Sequence, residues 1–103
     1  MRVTLDKVVA VMRQHGRLAT LRTFPYQSGK RVVIKHPGGR LRGEVELVIT
    51  DPKREDLERF LEISGFKSVE EWWDTAVKLH GANPRYLVVV RFPDGISGGR
   101  GCP

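Results

Sequence analysis

Apolar residues near the start of the chain recur with the spacing of an α-helix. One stripe, at positions i, i+3, i+4 and i+7, consists of Leu5, Val8, Val9 and Met12. Thr4 has a hydroxyl suited to cap the first turn of such a helix. Gly16 is suited to end it in the left-handed conformation. The pattern therefore predicts a short amphipathic helix before residue 16.

Three stretches after this helix have the composition of strands. They cover residues 18–24, 31–35 and 41–50, and clusters of proline and glycine separate them. In the third stretch Val45, Leu47 and Ile49 point to one side, because side chains in a strand alternate with a period of two. We expect this stretch to be the most regular strand.

Two helices are predicted next. Asp51 and Pro52 have the residue types of an N-cap and a first helical position, and Gly65 is predicted to stop that helix. Ser68 and Glu71 have the spacing of a capping box, in which each side chain accepts the other residue's backbone N–H.

The second helix carries two tryptophans, Trp72 and Trp73, on one apolar face. A base-stacking role is one interpretation, but this spacing favours core packing. Residues 86–92 are almost continuously apolar, which predicts a strand at the centre of its sheet.

This order of elements predicts a single α+β domain over residues 1–92. Because most strands precede the helix pair, we expect a small, partly closed barrel with helices packed on one side. Residues 93–103 are rich in glycine and proline, so they are expected to form a flexible tail.

Charge is distributed unevenly along the chain. The net charge is +6, yet residues 1–43 hold ten Lys or Arg and one acid, whereas residues 44–80 hold ten acids and five bases. Residues 16–42 hold seven bases and no acid. Such a basic segment suits a polyanion, because each cation near a phosphate releases condensed counterions. The alternative is that a basic half packs beside an acidic half.

Several classes of protein are not expected. No apolar run approaches the roughly 20 residues of a membrane span, and the first residues lack the pattern of a signal peptide. The single cysteine, Cys102, excludes an internal disulfide. His15, His36 and His80 are scattered, and no nucleotide-binding loop or nucleophile elbow is present, so no metal or cofactor is predicted. We expect a soluble cytoplasmic protein.

Three segments, in consistent order, resemble the ASCH domain, a small barrel related to the PUA RNA-binding fold. Residues 16–22 (G-R-L-A-T-L-R) are similar to the family's G-K-x-x-T-x-R signature. Residues 43–47 (G-E-V-E-L) are similar to its G-E-x-x-I strand, and residues 65–72 (G-F-K-S-V-E-E-W) to its G-F-x-S-x-E-E-[FW] turn and helix. Residues 86–92 match the closing strand. The resemblance implies a PUA-like mixed β-barrel with an N-terminal helix and a helix pair.

The resemblance also implies a cleft between barrel and helices that receives RNA or a modified nucleoside. One branch of the family hydrolyses acetylcytidine with the signature lysine, the threonine and an acid near the G-F turn, and some relatives are reported to cut RNA. Here Thr20 and Arg22 match the signature, but Arg17 replaces the lysine and Ser64 occupies the place of the acid. Arginine stays protonated and does not act as such a nucleophile or proton acceptor. Glu62 is the nearest substitute acid.

The sequence thus predicts a non-catalytic nucleic-acid-binding module, with RNA preferred over DNA because single-stranded bases can be unstacked and read. Arg17 and Arg22 are expected to bind in the cleft, where Thr20 donates a hydroxyl, and Tyr26 is the stacking candidate. The residues expected to follow the phosphate backbone are Lys30, Arg31, Lys35, Arg40 and Arg42.

Three alternatives remain open at this point. The first is a hydrolase, an acetylcytidine amidohydrolase or a ribonuclease, that uses Thr20 with Glu62 and Arg17. The second is a protein-interaction domain whose basic half binds an acidic partner. The third is structural: the signature arginines pair with Glu44 or Glu46 on a neighbouring strand.

Overall fold

A computed structural model describes residues 5–92; the predicted cap Thr4 and the predicted tail at 93–103 lie outside this range. The elements are α1 (Asp6–His15), β1 (Arg17–Arg22), β2 (Arg31–His36), β3 (Gly39–Thr50), α2 (Arg54–Phe60), a 3₁₀ turn (Leu61–Ile63), α3 (Val69–His80) and β4 (Tyr86–Arg91). This order confirms the predicted small α+β fold. No helix in the described range is long and apolar enough to cross a membrane.

The ends of α1 and α2 differ in how well the sequence predicted them. Gly16 ends α1 with a φ of 67°, and its N–H donates to the Met12 carbonyl over 3.0 Å. In contrast, Asp51 does not cap α2. Asp51 has a left-handed φ of 50° and its N–H donates to the Arg85 carbonyl over 2.7 Å, so it turns the chain out of the sheet. The helix begins three residues later, where the Asp56 carboxylate accepts the Lys53 N–H over 2.9 Å.

Helix α3 begins as the capping pattern predicts, but only in part. Ser68 Oγ accepts the Glu71 N–H over 3.1 Å. The Glu71 carboxylate accepts the N–H of Lys67, at 3.4 Å, rather than that of Ser68. It also accepts a hydrogen bond from Lys7 Nζ over 3.1 Å, which ties α1 to α3. This bond to Lys7 and the one to Lys67 lower the pKa of Glu71 below its ordinary value.

We expect Ser68→Ala to lower the free energy of unfolding by about 1 kcal/mol, because a free N–H in the first turn loses its acceptor. Urea denaturation followed by circular dichroism measures this change. Ser28→Ala is a suitable control, since the Ser28 hydroxyl is exposed and makes only a 3.4 Å bond to the Glu46 carbonyl. Equal effects of the two substitutions would contradict a capping role for Ser68.

The four strands form one antiparallel sheet in the order β1-β4-β3-β2. β1 and β2 occupy opposite edges, so the described sheet does not close into the predicted barrel. β4 is central, as predicted, and four of its residues, Leu87 to Val90, have no exposed surface.

Helices pack on both faces of the sheet rather than on one side. On the first face, Val8 and Met12 of α1 pack with Val88 and Val90. On the second face, α2 and α3 pack over Leu87, Val89 and neighbouring residues. The apolar run of β4 explains this arrangement, because a strand that is apolar on both faces needs cover on both.

The β2–β3 hairpin, residues 31–44, projects past the rest of the sheet, and we call it the arm. Pairing between β3 and β4 ends at Glu44 and Arg91, so among the described strands β2 alone pairs with the first five residues of β3. At the spacing of extended strands these five residues span about 17 Å. The arm's first face packs on the α1 side, where Ile34 is fully buried.

Gly43 sits at the base of the arm, where Val90 and Phe92 pack directly against its backbone. A Cβ at this position would lie 2.6 Å from Val90 Cγ1 and 3.1 Å from Phe92 Cε1. No side chain fits there without displacing one of them. The glycine therefore allows the last residues of the described chain to close the core under the arm.

Candidate nucleic-acid interface

A cavity of about 260 Å³ lies at the outer edge of β1. Its walls come from β1, the start of α1, the turn after the 3₁₀ segment, and α3. Most of the lining is apolar, with Leu5, Phe66 and Trp72 among its members. The polar side chains that line it are Thr20, Arg22, Ser64, Thr75 and His80.

β1 brings Thr20 and Arg22 into this cavity together. They are two residues apart in a strand, so their side chains leave the same face. Arg22 Nε donates to Thr20 Oγ1 over 3.1 Å, and the threonine hydroxyl keeps its own proton to donate. Burial lowers the pKa of the Arg22 guanidinium, and Tyr26 nearby raises it in part. The pair presents a cation and a hydroxyl to a mostly apolar space.

Ser64 lines the cavity as a structural residue. It is 1% exposed, and its hydroxyl donates to the Leu61 carbonyl over 2.7 Å while accepting the Phe66 N–H over 3.0 Å. Both bonds hold the turn that carries Phe66 into the cavity wall. This position, where the resemblance implies an acid, instead holds a buried and satisfied hydroxyl.

His80 also lines the cavity, although the sequence indicated no role for it beyond that of an improbable metal ligand. It lies in the last turn of α3, and its Nε2 is 3.1 Å from the Leu21 carbonyl oxygen on the edge of β1. A carbonyl only accepts, so Nε2 donates in this contact. Only the packing of α3 against β1 reveals this placement.

Arg17 does not line the cavity, contrary to the expected cleft role. Its guanidinium donates twice to the Glu46 carboxylate, over 3.1 and 3.0 Å, on the exposed end of the sheet. Alternation along β1 explains the difference, because Arg17 leaves the opposite face from Thr20 and Arg22. The structural alternative, pairing with Glu46, is confirmed for Arg17.

Two further candidates are not among the residues that line the cavity. Tyr26 is half-buried and packs against the core cluster on the α1 face. Glu62 is exposed on the 3₁₀ turn and is not among the cavity's lining residues, which include no carboxylate. Of the three residues proposed for a hydrolase, Thr20 lines the cavity, whereas Arg17 and Glu62 do not.

The five bases predicted to follow a phosphate backbone all lie on or beside the arm. Lys30 precedes β2, and its carbonyl accepts the Val45 N–H over 2.8 Å. The others leave the arm's second face, opposite buried Ile34, and we call this surface the arm face. It consists of Arg31, Val33, Lys35, Arg40 and Arg42, all exposed, and the half-buried Glu44 lies on the same face across from Arg31.

The register of the hairpin gathers these cations into one group. Lys35 pairs with Arg40 across the two strands, and Arg42 pairs with Val33. Within residues 5–92, no ion pair involves the arm-face bases or Lys30. The neighbouring acids already form ion pairs with other residues, Glu44 with Arg91 and Glu46 with Arg17.

The cavity and the arm face are separate surfaces, although residues 16–42 supply both. β1 and β2 lie three strand spacings apart, about 14 Å, because β4 and β3 are inserted between them. The arm also extends away from the end of the sheet that holds Arg22. A single cleft lined by the whole basic segment is therefore not present in the described chain.

None of the family models, curated proteins or solved structures compared with this chain matches it. The resemblance to ASCH domains stays a prediction that rests on the three sequence segments.

Proposed function

We propose that this protein is a nucleic-acid-binding module, with RNA as its preferred ligand, and that the arm face binds the phosphates. The observation that supports this function is the group of four exposed bases on the arm face. The other face of the hairpin packs on the core, and none of the four bases forms an ion pair within the described range. Exposed cations held at fixed spacing suit a ligand with regularly spaced negative charges.

The distribution of ion pairs supports an external rather than an internal partner for this charge. Described acids pair with Lys7, Arg17, Arg54, Arg85 and Arg91. Of these bases only Lys7 and Arg17 belong to the basic half, residues 1–43, and neither lies on the arm. If packing of the halves explained the charge asymmetry, the arm bases would be among the paired residues.

The cavity supports the preference for RNA in a different way. By the ASCH resemblance, it is the place for one unstacked base or nucleoside, with Thr20 and Arg22 as donors to its edge. Sequence-specific RNA recognition commonly uses bases that are splayed out of a loop or single strand. DNA is the second ligand to test.

We expect strongly salt-dependent binding. Lys30 and the four arm-face bases make five candidate phosphate contacts, so log K should fall with log salt at a slope of about −3.5 on a single strand and about −4.5 on B-form DNA. Fluorescence anisotropy at several salt concentrations between about 50 and 200 mM measures the slope. A slope near zero, or no binding at low salt, would instead favour an acidic protein partner.

A further inference from the structure

We infer that the arm face binds a double-stranded segment of nucleic acid, through phosphates on the duplex backbone, rather than a single strand. This inference rests on the proposed function and names the class of ligand for the arm. The shared chemistry is the phosphate array of a duplex, which RNA and DNA both supply.

The arm face lacks the aromatic side chains that single-strand binding commonly uses. Many proteins that bind single strands stack bases on such side chains, at about 1–3 kcal/mol per base. Residues 31–44 contain no Phe, Tyr or Trp, and their histidine, His36, leaves the same face as Ile34, opposite the arm face. Tyr26 packs on the other face of the sheet, and Trp72 is 2% exposed in the core.

Phe24 is the one strongly exposed aromatic ring in residues 5–92, at 74%, but it lies far from the arm. It follows Arg22, which pairs with Tyr86 at the end of the sheet opposite the arm. Lys35 is about nine residues further along the strand direction, or about 30 Å. A base stacked on Phe24 and a phosphate on Lys35 would belong to distant nucleotides.

The shape of the cationic group also favours a duplex. Arg31 and Lys35 are four residues apart on one strand, about 13 Å, and Lys35 lies about 5 Å from Arg40 across the hairpin. The cations thus form a compact patch rather than a long line. A duplex carries one charge per about 1.7 Å of its axis, twice the density of one strand, so the same patch meets more phosphates.

The packing of the arm against the core also favours a duplex. Ile34 is fully buried, and Val32 and Leu41 pack against the cluster that contains Val8 and Met12 of α1. The hairpin backbone is therefore held in place by packing on its first face, and the strand positions that carry the cations are fixed relative to one another. Fixed attachment points suit the regularly spaced phosphates of a duplex, whereas a flexible strand loses conformational freedom when it conforms to them.

The test compares ligands on the full chain at one salt concentration. The probes are a blunt RNA duplex of about 16 base pairs, its two separated strands designed without self-pairing, and the DNA duplex of the same sequence. We expect at least tenfold tighter binding to duplex RNA than to either strand. Equal affinity for the two duplexes also supports the inference, because the recognised chemistry is then the phosphate array itself, but it contradicts the proposed preference for RNA.

A variant tests the reason for the preference. Val33→Trp adds an aromatic ring at the centre of the arm face, at a position that is 43% exposed. We expect this change to strengthen single-strand binding at least threefold and to leave duplex binding within twofold. Phe24→Trp is the matched control, at an exposed aromatic position away from the arm, and should change neither the affinity for single strands nor the affinity for the duplex.

The outcomes separate the inference from the function on which it rests. Single strands that bind the wild-type chain as tightly as the duplex, or more tightly, overturn the inference and leave the proposed function standing. Absence of binding to every probe overturns the proposed function itself.

Discussion

Replacing Lys35 and Arg42 together with glutamate is expected to weaken nucleic-acid binding at least hundredfold. A cation beside an anionic membrane surface contributes about 1 kcal/mol, which we take as the scale for one phosphate contact, and reversal adds repulsion to that loss. The carboxylate introduced at position 35 also faces Arg40 across the hairpin and should pair with it, which withdraws a third cation. A combined loss of about 3 kcal/mol corresponds to a fall of more than a hundredfold, because 1.4 kcal/mol is tenfold.

The control for this variant keeps the charge change and moves it off the arm. Arg59 in α2 and Lys78 in α3 are exposed and lie on the helices of the second face. Replacing both with glutamate should lower affinity less than tenfold, through net charge alone. Both double variants should keep the wild-type circular dichroism spectrum. If the two variants lose affinity equally, the arm face has no special role.

Gly43→Ala is expected to lower the free energy of unfolding by about 2 kcal/mol, within the range for an overpacked core. The added methyl would occupy the space of Val90 Cγ1, with the Arg91 carbonyl oxygen 3.1 Å away. Urea denaturation of the variant measures the loss. At a strand position with free space, the same substitution raises the free energy of unfolding by about 0.5–1 kcal/mol. The sign of the measured change therefore shows whether the site is closely packed.

A double-mutant cycle identifies the contact responsible. Val90→Ala removes the closest atom, so the pair Gly43→Ala with Val90→Ala should lose less than the sum of the single changes, by at least about 0.5 kcal/mol. Additive losses would show that another contact, such as the one with Phe92, limits the space. A stabilised Gly43→Ala variant would mean that the base of the arm is loosely packed.

Local patterns predicted which residues form each element, and those predictions were largely correct. The continuous apolar run at 86–92 is a physical consequence of burial on both faces, so it is visible in the sequence. The strict alternation predicted for residues 41–50 was wrong, because a bulge between Val45 and Leu47 puts Val45 on the first face and Ile49 on the second. Thr20 and Arg22 share a strand face because side chains alternate along β1, and they do meet in one cavity. Alternation also separates Arg17 from them, a consequence that the motif resemblance obscured.

Strand order was not available from local patterns. β1 and β2 are consecutive in sequence, which suggests one continuous basic surface, yet β4 returns from the end of the described chain to pair with β1. That long-range pairing leaves β1 at one edge and β2 at the other, and it opens the expected barrel. The contact of His80 with the edge of β1 and the burial of Tyr26 depend on the same packing.

The separation of the cavity from the arm face also affects how changes in the two surfaces combine. Sites more than about 7–10 Å apart without shared partners usually contribute additively, within about 0.3–0.5 kcal/mol. A substitution at Thr20 and one at Arg40 should therefore act as independent changes. Natural variation can then alter which ligand the cavity accepts without weakening phosphate binding by the arm face. In the same way, either surface can be engineered while binding at the other serves as an unchanged internal reference.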